Sequence, residues 1–310
     1  MTSSQTTKPL LPYTAIAFAT LFWGSSFAAM KVTITDLGPM SVMWARMATA
    51  LLVILPFSRK LWPRDYRPGD WKLLFPFVGL QPCLYFLLES NALRFTNSSQ
   101  AGLISASVPL MVAVGAHYIL HEKVARTTVA GLFISLGGVV WLTLAGTPSQ
   151  NASNPLLGNT LEFGAMVSAV GYVLLVKKLT QRYDPWTLTA MQIVAGFIFF
   201  SPGALFFLKG GLNTMSPGQL ITLSYLGIFV SLGAFGLYNL GIKYIPANRA
   251  SALVNMIPVI AVLLGWVLLG ERLNGSQVAA AVGVLGGVWL SQRKGSADSQ
   301  EGIGMEKKSS

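Results

Sequence analysis

Ten apolar runs divide this chain: Pro12–Met30, Met40–Phe57, Leu73–Ala92, Ser99–Leu120, Thr128–Gly146, Leu157–Val176, Thr187–Leu208, Leu220–Ile242, Ala247–Leu269 and Val278–Leu290. A hydrocarbon core about 30 Å thick takes roughly 20 residues of helix to cross. Backbone groups in lipid must bond within their own segment or around a closed barrel. These runs are continuous rather than alternating, so the pattern predicts helices. Their separators are short and carry breakers, as in Asp36-Leu-Gly-Pro39, Arg67-Pro-Gly-Asp70 and Thr147–Pro155, and none has room for a soluble domain. Only 33 of 310 residues are charged, 11%, against about 25% in soluble domains. That excludes a soluble enzyme, whose surface needs far more charge. The expected fold class is an all-α polytopic membrane protein with ten transmembrane helices.

The charges that remain are sorted by side. There are 22 basic and 11 acidic residues, a net +11. With both termini inside, 17 Lys and Arg fall on inner segments and 4 on outer ones (Lys31, Arg94, Lys209 and Arg272), with Arg46 left within a span. Cytoplasmic loops carry the basic excess, so both termini, including the polar tails 1–11 and 293–310, are expected in the cytoplasm of a cell's inner membrane. The excess is thereby topological and calls for no nucleic acid. Only Lys8 precedes the first run, which is longer than a signal-peptide core, so that run is expected to be an integral span. The one cysteine, Cys83, allows neither an intrachain disulfide nor a thiolate zinc site.

The chain repeats itself. A shift of 146 residues superposes Lys31 on Lys177, Pro39 on Pro185 and Pro56 on Pro202. A shift of 149 superposes Ala101 on Ala250, Pro109 on Pro258, Glu122 on Glu271 and Gly137-Gly138-Val139 on Gly286-Gly287-Val288. Two offsets three residues apart describe a duplication, 12–146 and 157–291, with one small indel. Five spans per copy is an odd number, so the second copy is expected to enter the membrane from the opposite side. Inverted repeats of this kind build secondary transporters that alternate access around a central site.

The stretches Leu21-Phe-Trp-Gly-Ser-Ser-Phe-Ala-Ala-Met-Lys31, Ala45-Arg46-Met-Ala48, Arg249-Ala-Ser-Ala-Leu-Val-Asn-Met-Ile-Pro258 and Leu269-Gly-Glu-Arg-Leu273, followed by Gly283–Gly287, carry a resemblance. Together they resemble the drug/metabolite transporter superfamily, in its EamA-type ten-helix branch, over nearly the whole chain. The resemblance implies export or exchange of small metabolites such as amino acids and their relatives. It places the cavity among helices one, three, four, six, eight and nine. One departure is that Trp23-Gly24 of the first copy faces Ala169-Val170 in the second.

Several side chains stand out against this background. Arg46 lies about 10 Å into its span from Pro39, where a charge needs protein or water around it and a partner. Glu89 on the third span falls at comparable depth, so an Arg46–Glu89 pair is expected, and each is a candidate for substrate contact. Their second-copy counterparts, Gln192 and Tyr238, are neutral together. The alternative has Arg46 snorkelling to the headgroups with Glu89 facing the loops. Glu89 and Glu162 are the carboxylates within spans and thus the candidates for ion coupling. Glu162, near the end of its run, also fits a solvated helix end. His117 is expected to pack or meet headgroups. Pro109 and Pro258 predict matched kinks that free the carbonyls of Ser105 and Val254, with Ser105 and Asn255 as polar groups beside them. Trp23, Phe27, Tyr85 and Tyr238 are candidates to wall a path for apolar or cationic solutes. Glu122 and Glu271, beside Lys123 and Arg272, are read as structural ends. Gly131, Gly137, Gly138, Gly283, Gly286 and Gly287 allow close helix packing, within one chain or across a homodimer.

No phosphate loop, His-Glu-x-x-His set or Gly-x-Ser-x-Gly elbow occurs in the sequence. No catalytic residue, metal or cofactor is therefore expected, and the expected partners are a small-molecule substrate and the lipid bilayer. A channel or a non-transporting membrane scaffold is the other class this pattern fits.

Overall fold

The computed structural model describes residues 10–292 except 62, 64, 121–124, 150 and 151. The expectations for Lys8, Arg64, His121, Glu122, Lys123 and most of the two tails lie outside the described residues. Among those described, the chain is helical, with one isolated bridge between Ser149 and Ala152. Eight helices are long and apolar enough to cross a membrane: α1 Leu10–Leu37, α2 Pro39–Phe57, α3 Trp71–Phe95, α4 Ser98–Ile119, α5 Arg126–Leu144, α6 Pro155–Leu179, α8 Pro217–Tyr244 and α9 Ala247–Leu269. Between α6 and α8, α7 is a bent pair, Pro185–Phe199 and Ser201–Leu208, meeting at 56°. The expected tenth run forms α10, Gly275–Ser291, a shorter apolar helix. The protein is thus a multi-pass membrane protein, with eight such helices among the described residues, or nine if the bent pair is one span. The bend falls at Pro202, which removes a backbone donor. Its counterpart Pro56 sits in the matching tight turn, Leu55–Phe57, at the end of α2.

α1 runs seven residues beyond the predicted Met30, through a lysine read as its flank. Lys31 is buried, and its Nζ donates to the carbonyls of Leu93 at 2.6 Å and Thr96 at 2.9 Å, at the C-terminal end of α3. Those carbonyls have no donor within their own helix, and the negative end of the helix dipole favours a cation there. The second copy repeats the arrangement: Lys177 Nζ donates to Ile242 O at 2.9 Å and Ile245 O at 2.7 Å, at the end of α8. Glu271 serves the opposite kind of helix end. Its carboxylate accepts from the backbone N–H of Ser98 and Ser99, each at 2.8 Å, and from both serine hydroxyls, closing the N-terminus of α4. It is the structural end residue expected, yet buried, and it lies just past the end of α9 in the other copy.

The two copies interrupt the same helices at matched places. α4 breaks after Ser105 and α9 across Val254–Met256, just ahead of Pro109 and Pro258. α3 kinks within Gly79–Leu84, and α8 is π-helical over Leu226–Ala234. In α3 the cause is Pro82, with Gln81 in an extended conformation. In α8 the widened turn is held by Ser231 Oγ donating to Leu226 O, five residues back, at 2.9 Å.

α5 and α10 pack backbone to backbone at the glycines. A Cβ on Gly138 would stand 2.7 Å from Val284 N, and Gly131 and Gly287 approach each other through the Gly131 and Gly287 carbonyls. This close packing lies within one chain. Gly137 and Gly286, one residue round the helices, face outward with nothing near. G138L is therefore expected to lower the thermal midpoint in detergent by the equivalent of about 1–3 kcal/mol of overpacking, with G137L close to wild type. Equal midpoints for the two variants would contradict this packing.

Candidate functional site

A cavity lies between the two copies, walled by α1, α3, α4, α6, α8 and α9. Eighteen residues line it, and sixteen of them pair up under the two sequence offsets. Trp23 pairs with Ala169, Ser26 with Tyr172, Phe27 with Val173, Gln81 with Val230, Phe86 with Phe235, Glu89 with Tyr238, Ser105 with Val254 and Val108 with Ile257. Tyr85 and Met166 complete the wall. The wall is matched in position but not in chemistry. Acid, amide, hydroxyl and indole in one copy face phenol or aliphatic groups in the other.

Phe86 and Phe235 are each other's counterparts, and their rings meet edge to face at 5.9 Å. Around them Trp23 touches Phe235 at 5.5 Å and Tyr238 at 5.1 Å, and Tyr172 approaches Tyr238 at 6.3 Å between centroids. This aromatic cluster surrounds one carboxylate. Glu89, fully packed in on α3, accepts from Tyr85 Oη at 2.6 Å, one helical turn earlier.

Six of the sequence candidates, Trp23, Phe27, Tyr85, Glu89, Ser105 and Tyr238, are thus brought together on the wall. Arg46 is not among them. It is wholly buried behind Phe86, whose ring lies 4.3 Å from Cζ, and its Nε donates to Ser231 Oγ at 2.8 Å while Nη1 points at Met30 Sδ at 3.2 Å. The expected Arg46–Glu89 contact is not made. Tyr85 takes the carboxylate and the π-helical turn of α8 takes the guanidinium, so the two charges attract through space rather than by hydrogen bond. Asn255 also misses the wall. It sits in a tight three-residue turn, where successive side chains diverge by about 120°, and Val254 and Ile257 face the cavity instead. Its Oδ1 is buried without a partner.

Glu162 is not a solvated helix end. α6 begins at Pro155, which leaves Glu162 about two turns inside, fully buried, with neither carboxylate oxygen hydrogen-bonded. It stands one turn from Met166 of the wall and is near enough to Glu89 for the two to repel when both are ionised. His117 is exposed on α4, its ring against Tyr118 at 5.1 Å.

Sequence reasoning passed over a second polar cluster. Gln192, the counterpart of Arg46, donates through Nε2 to Gln81 O at 3.1 Å, at the kink of α3. Asn239 Nδ2 donates to Gln192 Oε1 at 3.1 Å and Thr189 Oγ1 at 3.0 Å, and Tyr172 Oη donates to Asn239 Oδ1 at 2.6 Å. Arg46 therefore reaches across to α8, and Gln192 reaches across to α3, at corresponding turns. The offsets alone carry this signal, because they map Pro82 onto Ser231 and Phe86 onto Phe235.

The profile of the EamA-like transporter family matches this sequence twice, over residues 10–144 and 156–292. The uncharacterized transporter YcxC of Bacillus subtilis is 28% identical over 289 residues, covering 89% of this chain and 91% of its own. An uncharacterized transporter of Archaeoglobus fulgidus is 28% identical over 287 residues, covering 90% and 98%. Protein PagO of Salmonella typhimurium is 24% identical over 277 residues, covering 87% and 89%. One solved crystal structure, 18% identical, superposes with a TM-score of 0.61 over 90% of this chain and 96% of that one, a likeness of fold.

Because the second copy works with an amide where the first has Arg46, R46Q is expected to fold. R46L, which leaves Ser231 without its donor and Glu89 without a nearby cation, should lose about 1–3 kcal/mol, read as a lower thermal midpoint in detergent. Equal losses for R46Q and R46L would show that the charge, not the hydrogen bond to α8, holds this contact.

Proposed function

The chain belongs to the EamA-like transporter family, and from that premise we propose that it is a secondary carrier working by alternating access around the central cavity. In this reading it has ten spans in two inverted five-helix repeats. It lies in the cytoplasmic membrane with both termini inside, and it exports or exchanges small metabolites, amino acids or related compounds among them. Glu89 and Glu162, buried beside one another at the edge of the cavity, are the coupling groups.

The observation that carries the proposal is the pairing of the cavity wall. A site whose lining residues are each other's copies lies where the repeats meet, and a residue that touches its own copy, as Phe86 touches Phe235, lies on the relating axis. Contacts at the helix ends exchange in the same manner. Asp36, at the end of α1, accepts from Gln219 Nε2 at the start of α8 at 2.8 Å. Beyond the far end of α2, Arg182 after α6 pairs with Asp70 before α3, which also accepts from Tyr183 Oη at 2.5 Å. The offsets carry Asp36 to Arg182 and Asp70 to Gln219. Two matched ties at opposite ends supply what an alternating carrier needs, one end held while the other parts. A channel has to part both together.

Counterflow in proteoliposomes tests the reading. Uptake of one labelled solute from a panel of amino acids, amines and nucleosides should saturate and be accelerated by the same solute inside. Non-saturating leak would indicate a channel, and no flux across the panel a scaffold. In E162Q, counterflow should persist while uptake driven by a pH gradient is lost. Gradient-driven uptake at the wild-type rate would remove Glu162 from coupling.

A further inference from the structure

The cavity's polar groups are lopsided, and the imbalance identifies what they are built to hold. Among the described residues, Glu89 is the one acidic residue on the wall, and no Lys, Arg or His lines it. Three of the wall's hydroxyl protons are already committed. Tyr85 donates to Glu89 itself, Ser26 Oγ donates to Trp23 O at 2.7 Å, and Ser105 Oγ donates to Gly102 O at 2.6 Å. What these groups still present to an occupant is oxygen lone pairs. The buried charges around the wall are uneven in the same sense, one arginine against the two carboxylates Glu89 and Glu162. Arg46 stands off the wall: Phe86 lies over its guanidinium, Ser231 engages Nε and Met30 engages Nη1, while Nη2 is buried without a partner. Trp23 and Tyr238, 5.1 Å apart beside Glu89, add ring faces that attract a cation.

We propose that the cavity binds a monocationic amine on an aromatic or apolar body, with its ammonium on Glu89, and discriminates against the corresponding amino acid. The inference rests on the carrier reading above and narrows its substrate class. An ammonium supplies the positive charge that the wall lacks, together with N–H donors for the Glu89 carboxylate. The carboxylate of a zwitterion would be taken from water into a chamber with no basic side chain to receive it. The same amine without a carboxylate carries no such penalty.

Three ligands sharing one ring separate these cases: phenethylamine, phenylalanine and phenylacetate, titrated calorimetrically into the full-length protein in detergent at one pH and ionic strength. Phenethylamine should bind at least about tenfold more tightly than phenylalanine, the scale of a charge-assisted hydrogen bond, and phenylacetate should give no heat of binding. E89Q should weaken phenethylamine by a similar factor. Phenylalanine or phenylacetate binding as tightly as the amine overturns the proposal, as does binding of none of the three. The comparison on wild-type protein needs no variant, so misfolding of E89Q leaves the test intact. An unchanged amine affinity in folded E89Q also overturns it. Binding is read without vesicles, so amine selectivity without counterflow would fail the carrier reading alone, and counterflow without amine selectivity would fail this inference alone.

Discussion

Each half of the protein is held by reaching into a loosened turn of the other. The kink of α3 and the π-helical stretch of α8 leave backbone carbonyls misaligned, which lipid would not satisfy. Gln192 of α7 fills that need in α3, and Ser231, itself bonded back to Leu226, offers Arg46 of α2 a partner in α8. Because these turns lie beside the cavity, the links that join the copies also shape the wall. Gln81 and Val230, counterparts that both line it, belong to the two stretches.

The helix ends follow the same logic with stronger groups. Lys31 and Lys177 cover carbonyls that end α3 and α8, and Glu271 covers amides that begin α4. A buried charge used in this way is not an unpaired one. Its desolvation is offset by several backbone dipoles that would otherwise have no partner. This accounts for a charge distribution in which ionised groups sit deep in the protein yet off the cavity wall, leaving Glu89 alone among aromatic rings.

Much of this was legible beforehand, and the limits are instructive. Apolar runs and the two offsets predicted helices and the duplication, because both depend only on composition along the chain. Six candidate residues met on one wall since aromatic and carboxylate groups near mid-span have few other places to go. Arg46 was misassigned because depth along a helix carries no information about the face it presents. Its partner, Ser231, is an unremarkable residue in an apolar run, made available only by a widened turn. Asn255 failed for a similar reason, since the tight turn ahead of Pro258 rotates it away. α1 overran its predicted end because Lys31 read as a flank, when carbonyls from α3 allow it inside. Glu162 looked terminal only because α6 begins earlier than its apolar run.

The matched frame has an electrical asymmetry built into it. Glu89 lies six residues from the Phe95 end of α3 and eighteen from its Trp71 end, about 9 Å against about 27 Å along the axis. A cation arriving from the nearer end crosses roughly a quarter of the membrane field to reach it, and one arriving from the farther end crosses the rest. At about 2.3 kcal/mol per charge per 100 mV, a carrier that seats a cation on Glu89, as proposed above, would feel voltage weakly on one half of its cycle and strongly on the other. Its work against the membrane potential would then be divided unequally between loading and release, although the two copies are nearly alike in shape.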